Sequence, residues 1–90
     1  MKRQIRKIFV SRLFEKNFER LPKHIRGLAE RKEILFRKNA FHPSLQTHKL
    51  SGDLKDDWAY SVNKQYRVHF YFIDDHSVMY VNIGVHEIYK

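Results

Sequence analysis

WAYSVNKQYRVHFYFIDDHSVMYVNIGVHEIYK, residues 58–90, is the stretch that decides the fold. It reads as three consecutive strands, Trp58–Val62, Tyr66–Ile73 and Val78–Ile83, followed by a short tail, Gly84–Lys90. The strands are rich in β-branched and aromatic residues, and polar turns, Asn63-Lys64-Gln65 and Asp74-Asp75-His76, separate them. Side chains alternate across a strand. Trp58, Tyr60 and Val62 therefore share one face, with Ala59 and Ser61 on the other. Tyr66, Val68, Phe70 and Phe72 form a core face, while Arg67, His69, Tyr71 and Ile73 point away from it. Val78–Ile83 is apolar enough to lie centrally in a sheet.

The preceding half supplies what covers this meander. Ile5–Ser11 is a further short strand, with Ile8, Phe9 and Val10 as β-formers and apolar residues on both faces. Ser11 is placed to cap a helix whose apolar positions, Phe14, Phe18 and Leu21, follow i, i+4, i+7 spacing. Pro22 separates it from a second helix running to about Lys38, with Ile25, Leu28, Ala29, Leu35 and Phe36 on one side. His42-Pro43 stops helix formation, and Ser44–Asp57 reads as a polar loop. The expected order is β-α-α-β-β-β. This is an α+β domain with a largely antiparallel four-stranded sheet and a two-helix hairpin on one face.

Ninety residues make one domain, 1–90, which buries roughly 60–65% of its unfolded surface. A hydrophobic content of 42% with 14% aromatics supports a folded core. There is no cysteine, so disulfides and thiolate metal sites are excluded. The six histidines come without cysteine or a paired carboxylate set, so neither a metal nor another cofactor is expected. No Walker loop, dinucleotide fingerprint or nucleophile elbow is present. The chain has no apolar run long enough to span a membrane and no signal-peptide pattern, so we expect a cytoplasmic protein.

The net charge of +8 is unevenly placed. Residues 1–40 hold thirteen Lys/Arg against four Glu, and residues 41–90 hold five Lys/Arg against six acids. A positive field over one half attracts polyanions such as RNA, DNA or an acidic protein. Cleaving RNA without a metal needs a base for the 2′-OH, an acid for the leaving 5′-oxygen and cations for the phosphate charge. Histidine suits proton transfer and Arg or Lys the phosphate. Candidates are Arg67 on the free sheet face, His48 and Lys49 on the preceding loop, and His86 and Tyr89 in the tail.

Taken together, the element order, the basic helices, Lys49-Leu50-Ser51-Gly52, Tyr66-Arg67-Val68 and the ending Ile83-Gly84-Val85-His86-Glu87-Ile88-Tyr89 resemble the RelE/ParE superfamily of bacterial toxins. The nearest branch by pattern is the YafQ-like mRNA interferases. The resemblance implies a microbial RNase fold, cleavage of mRNA on the ribosome and neutralisation by an acidic antitoxin protein. It implies His86 as general acid, Tyr89 as the tail aromatic, Arg67 as the phosphate-facing arginine, and His48 and Lys49 as loop contributors. Tyr89 stands three residues after His86, where the YafQ pattern has four. Ser61 occupies the place of a further histidine of that pattern, and Gln65 and Tyr66 replace an aspartate and a tryptophan. The general base is therefore left open between His48, Lys49 and a water. Two other classes compete: a ParE-like inhibitor of DNA gyrase, and a non-catalytic basic module that binds RNA or the ribosome. No family match supports His69.

Overall fold

The computed structural model describes residues 2–52 and 56–85. The elements run β1 (Lys7–Val10), α1 (Arg12–Glu19), α2 (Lys23–Lys38), a 3₁₀ turn (Pro43–Leu45), β2 (His48–Lys49), β3 (Trp58–Ser61), β4 (Tyr66–Asp74) and β5 (Ser77–Val85). One mixed sheet contains all five strands in the order β1-β5-β4-β3-β2. Among the described residues, only the β1–β5 pair is parallel. The expected α+β class and helical hairpin are present. The sheet has five strands where four were expected, because His48–Lys49 pairs antiparallel with β3. A two-residue strand is too short to show alternation, which is why that segment reads as loop.

Local chemistry explains the element ends. Ser11 caps α1 by accepting from the Phe14 N–H at 3.0 Å, and its hydroxyl donates to the Val81 carbonyl at 2.6 Å. One side chain thus starts the helix and ties it to β5. Pro22 precedes α2, and Arg26 donates to the Glu19 and Leu21 carbonyls that the end of α1 leaves unpaired. Asn63 makes the β3–β4 turn by accepting from the Gln65 and Tyr66 N–H groups.

Both helices lie on the face that carries Tyr60, Val68, Phe70, Val78, Tyr80 and Ile83. Phe36 of α2 is fully buried at its centre, with ring centroids 4.6 Å from Tyr60 and 5.0 Å from Phe70. Phe14 of α1 sits 5.0 Å from Tyr80. The Tyr60 and Tyr80 hydroxyls bond each other at 2.9 Å inside this core. Burial pushes both phenols well above the ordinary tyrosine range, so both stay neutral.

Two irregularities in the β4–β5 pair break simple alternation. His69 pairs with Asn82 and Phe70 with Tyr80, so Val81 is extra on β5. Ile73 is likewise extra on β4. The first bulge lets Tyr80 and Ile83, three residues apart, both reach the core. It also sits where α1 attaches, through Ser11 to Val81 and Asn17 to Asn82.

Candidate functional site on the helix-free sheet face

Register decides which candidates meet. In an antiparallel pair, directly opposite residues share a face. His48 pairs with Ala59, and Ala59 pairs with His69. These three residues form one row across β2, β3 and β4 on the face without helices. Neighbouring strands lie roughly 4.8 Å apart, so the two histidine backbones stand roughly 10 Å apart with only a methyl group between them. The next row holds Ser61 opposite Arg67, and Arg67 opposite Gly84. Gly84 adds no side chain to this row.

The Arg67 guanidinium is fixed from behind. Its Nη1 donates to the Asn63 carbonyl at 2.6 Å and to the Tyr66 carbonyl at 3.2 Å. Those bonds use one end of the group and are made by the tight turn before β4. Ser61 donates to Gln46 Oε1 at 3.3 Å. Gln46 reaches it from a left-handed backbone conformation, φ 51°, at the end of the 3₁₀ turn. His48 is exposed, and its Nδ1 lies 3.0 Å from the Gln46 carbonyl.

Lys49 is not brought to this face. It pairs with Trp58, whose ring packs with Phe41 and Phe72 in the core layer, so its Cβ lies on the helix-bearing side of the edge strand. His86 and Tyr89 lie outside the described residues. The described part of β5 ends at Val85, which pairs with Tyr66, one residue from Arg67.

The residue that sequence reasoning set aside occupies the middle of the site. His69 is buried, at 6% exposure, and its Nε2 lies 2.6 Å from Asp57 Oδ2. A carboxylate oxygen accepts, so Nε2 carries the proton in this bond. Alternation had placed His69 on the face of Arg67, and that was the available signal. The partner, twelve residues earlier at the end of a loop, left none.

Among the described residues, no group of three or more His, Cys, Asp or Glu is arranged to hold a metal ion, and no helix is long and apolar enough to cross a membrane. A cavity of about 230 Å³ lies on the opposite face, lined by Phe14, Phe18, Glu33, Tyr60 and Tyr80. The self-paired tyrosine couple is part of its lining, and among the described residues no candidate side chain lines it. The site is therefore the sheet face: a fixed guanidinium, a hydroxyl and two histidines. Side chains of these types can bind a phosphodiester and move protons beside it.

No family model matches the sequence, and no curated protein matches it. Solved structures do match in fold. The toxin–antitoxin complex RelBE2 from Mycobacterium tuberculosis aligns with TM-score 0.78 and 11% identity over 94% of this chain and 97% of that one. The YoeB/ParE toxin from Agrobacterium tumefaciens aligns with TM-score 0.76 and 12% identity over 90% and 99%. The DinJ–YafQ complex from E. coli aligns with TM-score 0.72 and 16% identity over 94% and 99%. The chain thus has the fold of the RelE/ParE toxins, and a YafQ structure is among the matches.

Proposed function

We propose that this protein is the toxin of a type II toxin–antitoxin system. It acts as a ribosome-dependent endoribonuclease that cuts mRNA by acid–base catalysis without a metal. The observation that carries the reading is the convergence of Arg67, Ser61 and His48 on one sheet face of a RelE-type fold. Arg67 binds the scissile phosphate and stabilises the charge that builds on it. The 2′-oxygen attacks phosphorus, the P–O5′ bond breaks, and a 2′,3′-cyclic phosphate and a 5′-hydroxyl result. One group takes the 2′-OH proton and another protonates the leaving oxygen. His48 is one of this pair. His86 is the other, with Tyr89 stacking a base, as the resemblance to YafQ-like toxins implies. Lys49, on the edge strand, adds positive charge to the rim rather than to the centre.

The basic half of the chain, residues 1–40, is the surface that meets ribosomal RNA, and the same charge suits an acidic antitoxin. Two of the three structures named above are themselves toxin–antitoxin complexes, which supports an antitoxin as partner. The test is purified protein mixed with programmed ribosomes and mRNA, with cuts mapped by primer extension and naked mRNA alongside. Discrete cuts on the ribosome are expected, and a folded His86→Ala variant is expected to give none. Intact mRNA together with an induced DNA-damage response in cells would point instead to gyrase.

A further inference from the structure

His69 is a buried polar side chain on a face where its neighbours in sequence, Arg67 and Tyr71, are half-buried and exposed. Buried polar groups are retained where they hold something in place or react. His69 holds Asp57, at 2.6 Å, with side chains 8% and 23% exposed. Asp57 is the residue just before β3. Its carbonyl accepts the Leu50 N–H at 2.9 Å, which closes the neck of the segment linking β2 to β3. Leu50 directly follows His48 and Lys49, and it too is buried, at 8%. A line of contacts thus runs from His69 to the Asp57 carboxylate, through the Asp57 carbonyl to Leu50, and so to β2.

The edge strand needs such an anchor. β2 is two residues long, both are exposed, and it pairs with β3 at only two positions. A strand that short frays unless its ends are pinned. One end is held by the Gln46 contacts to His48 and Ser61. The other is held by the Leu50–Asp57 neck, where the Asp57 carboxylate accepts a side-chain hydrogen bond from His69 on β4. Side chains that transfer protons work within a few tenths of an ångström, and the groups behind them set that precision.

We propose that His69 is a positioning residue: through Asp57 it holds the His48–Lys49 strand in register beside Arg67. The inference rests on the ribonuclease reading for its consequence in catalysis, and on the neck alone for its structural content.

Two measurements separate these. Hydrogen exchange of the Leu50 amide reads the neck whether or not the protein cuts RNA, with the Val62 amide, bonded to the Tyr66 carbonyl, as control. Single-turnover cleavage on programmed ribosomes reads the site. In His69→Leu, the Leu50 amide is expected to exchange at least about tenfold faster while Val62 is unchanged. The maximal single-turnover cleavage rate is expected to fall by about tenfold, with little change in the half-saturating ribosome concentration. His69→Gln, whose amide donates to Asp57, restores much of both. In a His48→Ala background, His69→Leu adds no further loss, because its effect passes through His48. Should His69→Leu fail to fold, Asp57→Ala, which removes the acceptor and keeps the backbone carbonyl, carries the same measurements. An unchanged Leu50 amide in a folded variant overturns the positioning role, as do independent, additive losses in the double variant. A wild type that cuts no RNA overturns the ribonuclease reading instead, and the exchange data still decide the neck.

Discussion

The helix-free face of the sheet has two unlike ends. Toward β1, Phe9, Tyr71 and Ile73 are 49%, 38% and 50% exposed, with Met79 between Phe9 and Tyr71 in the register. Toward β2, Ala59, Ser61 and His69 are buried. One end exposes apolar side chains and the other buries polar ones, the reverse of the ordinary distribution. The apolar end makes no hydrogen-bond demands and tolerates change. At the polar end each buried group has a stated partner: Gln46 for Ser61, Asp57 for His69. Polar groups buried with partners are expensive to disturb. A single alternating strand, β4, contributes to both ends, and the proposed site lies at the polar one.

Substitutions at the two ends should behave differently, and the largest contrast is at Arg67. Arg67→Ala is expected to cut ribosomal mRNA cleavage by at least about a hundredfold, the size typical of losing a donor to a developing oxyanion. Circular dichroism should show the fold intact. Ala59→Leu comes next. It drives a large side chain between His48 and His69 at a fully buried position, and overpacking of this kind costs about 1–3 kcal/mol. Urea denaturation should register that loss, and cleavage should fall with it.

The helix-covered face provides a control of intermediate size. Tyr60 and Tyr80 ionise less readily in the folded chain than in the unfolded one, where a phenol titrates near pH ~10. Their contribution is therefore complete below about pH 10 and is lost as pH rises, because only the unfolded chain releases these protons readily. Urea midpoints should fall above about pH 10, and less so in the Tyr60→Phe/Tyr80→Phe double variant. Replacing both avoids leaving one buried hydroxyl unpaired. The smallest effect belongs to the apolar end. Ile73→Ser, at an exposed bulge position, should change stability by no more than about 0.5 kcal/mol and leave cleavage unaltered. A large loss of cleavage there would show that the two ends are not separate.

Much of this fold was legible from residue patterns. The three strands of residues 58–90 and the core face of Tyr66, Val68, Phe70 and Phe72 follow from period-two alternation. The Ser11 cap and the Phe14/Phe18 stripe follow from helix rules. β2 was not legible, because two residues carry no period and their pairing is decided across the following loop by Ala59 and Trp58. The bulge at Val81 was not legible either. Alternation through Val78–Ile83 would put Tyr80 and Ile83 on opposite faces, whereas both are buried. In the site, Arg67 was identified from its strand and His48 from its loop, and the register brings both to one face. Lys49 falls on the other, a consequence of the same unseen pairing. His69 was set aside because its meaning depends on Asp57, a contact between distant segments that leaves no local mark.

The claim that the Arg67 row binds a scissile phosphate is tested most directly by one comparison. Wild type and Arg67→Ala are incubated with the same programmed ribosomes, and the mRNA is read by primer extension. Discrete cuts are expected with wild type and at least about a hundredfold fewer with Arg67→Ala, on proteins of matching circular dichroism. Equal cutting by the two proteins, or no cutting by wild type, would contradict it.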